Sequence, residues 1–92
     1  MRHLVVLNPA AHGGRTGALQ AELAAAFAAK GLSVTFEATQ GPGESTRRLA
    51  SLEPGEFDVV VVAGGDGTLF EVVNGLMALP EDRRPALGVL PL

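Results

Sequence analysis

At 92 residues, 47% hydrophobic, 18% charged and net −3, the chain has the make-up of one small globular domain. Lys and Arg gather nowhere beyond Arg47-Arg48 and Arg83-Arg84, which argues against the basic face of a nucleic-acid binder. With no cysteine there are no disulfides or thiolate metal sites, and the longest apolar run, residues 23–29, falls short of the roughly 20 that cross a bilayer. A cytoplasmic location with at most peripheral membrane contact is expected.

Residues 3–7 (HLVVL) form a short continuous apolar run, the pattern of a buried strand. Asn8-Pro9 ends it, because proline cannot donate to a ladder and restricts the residue before it. A loop over residues 10–14 follows. From Thr16 to about Lys30 the period becomes helical, with Leu19, Leu23 and Phe27 on one face. Gly31 suits a left-handed helix stop. Residues 32–38 (LSVTFEA) alternate as a second strand.

After the loop at residues 39–43, a weaker helix over residues 44–52 is anchored by Leu49 and Leu52. Residues 57–63 (FDVVVVA) are the strongest strand, with four valines in a row. A third helix is expected over residues 68–79, with Leu69, Val72, Val73, Leu76 and Met77 as its apolar stripe, and a fourth strand over residues 86–90. Alternation of this kind predicts an α/β fold: a parallel four-stranded sheet in a three-layer α/β/α arrangement. Ligands of such sheets bind beyond the carboxyl ends of the strands. Strand order 2-1-3-4 sets the two glycine-bearing loops, after strands 1 and 3, side by side.

Gly64-Gly65-Asp66-Gly67-Thr68 lies between the most buried strand and a helix start. Glycines let backbone N–H groups approach an anion, and the helix beyond adds free N–H groups and the positive end of its dipole. Asp66 stands where it can meet an accompanying Mg²⁺. The spacing fits neither G-x-x-x-x-G-K-[ST] nor G-x-G-x-x-G, since Phe70 occupies the third glycine position. The plain alternative is a tight turn, for which one glycine usually suffices; phosphate binding is the favoured reading. Thr68 and Glu71 have capping-box spacing, which on residue chemistry alone is the simpler account of Glu71. Gly75, inside the third helix, suggests close packing against the sheet. His3 and His12 have no partner at metal-ligand spacing.

Asn8-Pro9, Thr39 and residues 64–75 (GGDGTLFEVVNG) together resemble the diacylglycerol kinase catalytic domain family, which includes bacterial lipid kinases and sphingosine and ceramide kinases. The resemblance runs over essentially the whole chain. It implies an ATP- and Mg²⁺-using kinase that transfers the γ-phosphate to a lipid hydroxyl. In this chain it assigns nucleotide binding to Asn8, Pro9, Gly13, Thr39, Gly64, Gly65, Asp66, Gly67, Thr68 and Glu71, with Asp66 near the metal. That assignment puts a ligand role for Glu71 on a level with the capping box.

Relatives continue past the equivalent of Leu90-Pro91-Leu92 into a G-T-x-N loop and a β-rich second domain that supplies the general base. The resemblance therefore implies that residues 1–92 are a front, nucleotide-binding part, inactive alone, with lipid substrate met through the second domain. Two other readings stand beside it. One is a NAD kinase or phosphofructokinase relative, which shares the glycine loop but usually follows it with a different helix. The other is a non-catalytic module that self-associates through an exposed sheet edge.

Overall fold

Strands and helices alternate along the chain: β1 (Arg2–Leu7), α1 (Thr16–Ala29), β2 (Ser33–Ala38), α2 (Glu44–Ala50), β3 (Val59–Gly64), α3 (Asp66–Met77), a 3-10 turn (Glu81–Arg83) and β4 (Ala86–Pro91). The computed structural model describes residues 1–8, 16–39 and 41–91. All strand pairs are parallel, in the expected order β2-β1-β3-β4. Leu7 stands opposite both Ala38 and Ala63, so β1, β2 and β3 end level with one another.

The sheet separates two cores. Leu4, Val6, Val60 and Val62 face α2 and α3, where Leu49, Leu52, Val72, Leu76 and Leu79 close over them. Val5, Leu7 and Ala63 face α1, which contributes Leu19, Leu23 and Phe27. From β1 the chain first steps to one side and then returns to the other. Right-handed crossovers therefore put α1 on one face and α2 with α3 on the opposite one. The valines of β3 are divided accordingly: Val60 and Val62 are fully buried under two helices, Val59 and Val61 half-buried beside one.

Local signals end the helices as the residues require. Gly31 takes the left-handed conformation (φ 67°). Its N–H donates to Ala28 O and that of Leu32 donates to Phe27 O, the pairing of a Schellman stop. Arg84 closes α3 from outside, its Nε donating to the carbonyls of Leu76 and Leu79 and its Nη2 to that of Met77. His3 is structural: its ring packs edge-on to Phe27 and Nδ1 lies 3.1 Å from Ser33 O.

Three expectations about α3 are corrected. The helix starts at Asp66, two residues before the expected position, with Gly65 as its N-cap. Its apolar stripe is narrower: Val72 and Leu76 are buried, but Val73 and Met77 are exposed, with Phe70 beside them. Third, Gly75 packs against α2, not the sheet, while the Val73–Met77 flank of the helix stays outside.

Candidate functional site

Asn8, at the end of β1, and Gly64, at the end of β3, lie side by side at the carboxyl end of the sheet, as the strand order requires. An added Cβ on Gly64 would lie 3.8 Å from Asn8 Cβ and 3.4 Å from Thr68 Oγ1. A cavity of about 410 Å³ opens there, lined by Asn8, Thr39, Gly41, Pro42, Gly67, Thr68 and Glu71. The structure thus brings together five of the residues singled out from sequence: Asn8, Thr39, Gly67, Thr68 and Glu71. Gly64 lies buried behind Thr68, while Gly65 and Asp66 are exposed at the start of α3. Pro9, Gly13 and His12 lie outside the described residues.

The glycines of this loop are not needed to make the turn. None of Gly64, Gly65 and Gly67 has a positive φ, and Gly65 is simply extended at φ −92°, ψ −172°. An added Cβ on Gly65 or Gly67 would meet nothing within 4 Å. Gly67 sits in the first turn of α3, where glycine is a poor helix former. The fold tolerates side chains at these positions, so the tight-turn account loses its basis. What a side chain would obstruct is access from outside to the backbone N–H groups.

Those groups are well placed to receive an anion. No side chain caps α3, and the first intrahelical donor at its start is Leu69 N–H, bonded to Gly65 O at 3.2 Å. The N–H groups of Asp66, Gly67 and Thr68 precede it and have no carbonyl a turn behind them. They carry the positive end of the helix dipole toward the cavity mouth. Thr68, only 7% exposed, holds its hydroxyl at the inner wall. Among the described residues, no group of three His, Asp or Glu side chains is arranged to hold a metal. Asp66 is the carboxylate nearest the glycine turn, and it suits a cation that arrives already bound to a phosphate.

The capping box is overturned. Gly65, not Thr68, is the N-cap, so Glu71 stands one turn too far along to reach back to it. Its carboxylate does the same chemistry for another helix: Glu71 Oε1 accepts from Gly43 N–H at 3.0 Å, and Gly43 is the N-cap of α2. Thr46 Oγ1 donates to Glu71 O at 2.9 Å beside it. The contribution of Gly41 and Pro42 to the cavity wall was missed. Its signal is the strand order itself, which sets the end of β2 next to the end of β1.

A second cavity of about 290 Å³ shares Thr39 and lies between β2 and α2, lined also by Glu37, Ser45 and Arg48. Arg48 is spoken for there. Its Nε and Nη2 donate to Glu37 and its Nη2 to Glu56.

An open parallel sheet with a glycine-rich turn where the strand order reverses defines a class of α/β domains whose ligand sites lie at this point. Comparison with known proteins narrows the class. The model of the diacylglycerol kinase catalytic domain matches residues 2–92, and the chain belongs to that family. It is 44% identical over 66 residues to a diacylglycerol kinase of Bacillus subtilis (strain 168), covering 72% of this chain and 21% of that protein. It is 40% identical over 63 residues to a "Probable lipid kinase YegS-like" protein of Yersinia pestis (strain Pestoides F), covering 68% of this chain and 21% of that one. A crystal structure of a diacylglycerol kinase from Bacillus anthracis str. Sterne superposes with a TM-score of 0.76 at 32% identity, over 98% of this chain and 32% of that one. The chain spans about a fifth of the length of the curated relatives it matches.

Proposed function

We propose that the glycine-loop cavity binds the phosphates of Mg-ATP, as the nucleotide-binding part of a kinase that phosphorylates a lipid hydroxyl. The observation that carries this reading is the set of glycines the fold does not need, placed around an uncapped helix N-terminus. Family membership supports a nucleotide as the phosphate donor and a lipid as the acceptor. The N–H groups of Asp66, Gly67 and Thr68 would hold phosphate oxygens, and Asn8 and Thr39 would line the nucleotide's path over the sheet. Mg²⁺, once bound, neutralises the phosphate charge that develops during transfer. Asp66 is the residue of this loop that would orient it.

With these contacts alone, affinity should be weak, on the order of 0.1–1 mM, or about −4 to −5.5 kcal/mol. The test is an NMR titration of wild type and Gly67→Ala with Mg-ATP. Alanine should leave the fold as stable or firmer by up to about 1 kcal/mol, while its methyl group weakens binding about tenfold. Absence of resonance shifts at residues 64–68, or equal affinity in the variant, would remove the basis for the reading.

A further inference from the structure

Glu71 lines the cavity, but the structure gives its carboxylate another task. We infer that Glu71 is a positioning residue: by holding Gly43 N–H, it fixes the Gly41-Pro42 wall of the cavity relative to the glycine loop. This inference rests on the nucleotide reading above.

Gly41 and Pro42, in the connection between β2 and α2, line the cavity together with Gly67 and Thr68, and Gly43 follows them as the N-cap of α2. Two of the three residues sit at positive φ, Gly41 at 153° and Gly43 at 78°. Backbone of this kind is readily reshaped, and glycine loses the most conformational freedom when fixed. α2 also lacks a side-chain cap, because its N-cap residue is glycine. Backbone bonds to Gly41 O, from Glu44 N–H at 3.3 Å, and to Gly43 O, from Arg47 N–H at 3.1 Å, close the turn but tie it only to α2. The bond from Gly43 N–H to Glu71 Oε1 is part-buried and spans 28 positions of sequence, from the start of α2 to the middle of α3. A carboxylate accepting at a helix N-terminus makes a charge-assisted bond, stronger than a neutral one. Two further contacts fix the same junction, Thr46 Oγ1 to Glu71 O and the seating of Gly75 on α2. α3 and the start of α2 are thus joined at three contacts, of which only Glu71 itself lines the cavity.

A tie through an acceptor oxygen and a direct contact through a negative charge make different predictions. Glu71→Gln keeps the acceptor and removes the charge, whereas Glu71→Ala removes both. The experiment measures amide hydrogen exchange at Gly43 and Mg-ATP affinity by NMR in wild type, Glu71→Gln, Glu71→Ala and Thr46→Val. Glu71→Gln should keep Gly43 protection and affinity within about threefold. Glu71→Ala should lose protection at Gly43 and bind about tenfold more weakly. Thr46→Val removes a bond at the same helix pair but leaves the carboxylate on Gly43 N–H, so it should lower the melting temperature and weaken binding clearly less than Glu71→Ala.

Loss of affinity in Glu71→Gln with Gly43 still protected would overturn the inference in favour of a direct ligand contact. Equal loss in Thr46→Val would reduce the effect to general destabilisation and overturn it too, as would unchanged affinity in Glu71→Ala with Gly43 unprotected. Failure of wild type to bind would sink the nucleotide reading and this inference with it, whereas a defect confined to the variants bears on the inference alone.

Discussion

Gly75 has no space for a methyl group. An added Cβ would stand 2.6 Å from Thr46 O and 2.7 Å from Leu49 Cβ, and the first of these is backbone that cannot swing aside. Gly75→Ala must therefore push α2 and α3 apart. Overpacking of this kind costs about 1–3 kcal/mol, against the roughly 1 kcal/mol that alanine returns as a better helix former. A net loss of stability is expected, read as a lower midpoint in urea, together with weakened nucleotide binding because the two cavity walls part. An unchanged midpoint would show that the helices yield freely. Sequence made this glycine conspicuous, since it interrupts a helical pattern, but not its neighbour. Spacing reports which face of a helix a residue occupies, and only the packing says what lies against that face. Glu71 teaches the same: three positions after Thr68 it has the spacing of a cap, and moving the helix start to Asp66 hands its carboxylate to Gly43 instead.

At the level of elements, Arg48 joins three segments. From α2 it forks onto Glu37 of β2, with Nε and Nη2 each 3.0–3.1 Å from the carboxylate, and reaches Glu56 in the turn before β3 at 3.1 Å. The Glu37 hydrogen bond, foremost, and then Glu56 raise the Arg48 pKa, so the guanidinium stays charged throughout. Glu56 is held below its ordinary value of 4.5, first by the Glu53 N–H and then by Arg48. A lowered carboxyl pKa stabilises the fold fully above the unfolded value and loses that contribution as pH falls through the folded one. Acid should therefore weaken wild type more steeply than Glu56→Gln below about pH 5, in urea melts taken from pH 7 to pH 3. Parallel curves would mean that the turn gains nothing from the charge. This network lay beyond sequence reading because its members are separated along the chain. The elements themselves were legible, since each change of hydrophobic period marks a boundary. Strand order was legible because a shared ligand site needs the two glycine loops adjacent.

For the molecule as a whole, the described residues set little of an acceptor side beside the proposed nucleotide site. Phosphoryl transfer needs the nucleotide, the metal and an activated hydroxyl held in line. Around the glycine-loop cavity the carboxylates are Asp66, exposed at the helix start, and Glu71, engaged with Gly43 N–H. Neither is set to take a proton from an acceptor across the cavity. The apolar recess that could greet a lipid tail, about 210 Å³ between Ala26, Phe27, Lys30 and Leu32, lies where α1 ends, at the opposite end of the strands. No helix among the described residues is long and apolar enough to cross a membrane. The exposed Phe70, Val73 and Met77 mark a flank of α3, not a pocket. The 92-residue chain alone should therefore bind Mg-ATP yet transfer no phosphate to diacylglycerol, ceramide or sphingosine. A radiolabelled ATP assay with each lipid in mixed micelles decides this, run beside the Bacillus subtilis diacylglycerol kinase, which shares 44% identity over the aligned residues. Labelled lipid from the relative and none from the chain is the expected result. Turnover by the chain would place a general base and an acceptor site within these residues, and would return Asp66 and Glu71 to candidacy as groups that touch the reacting atoms.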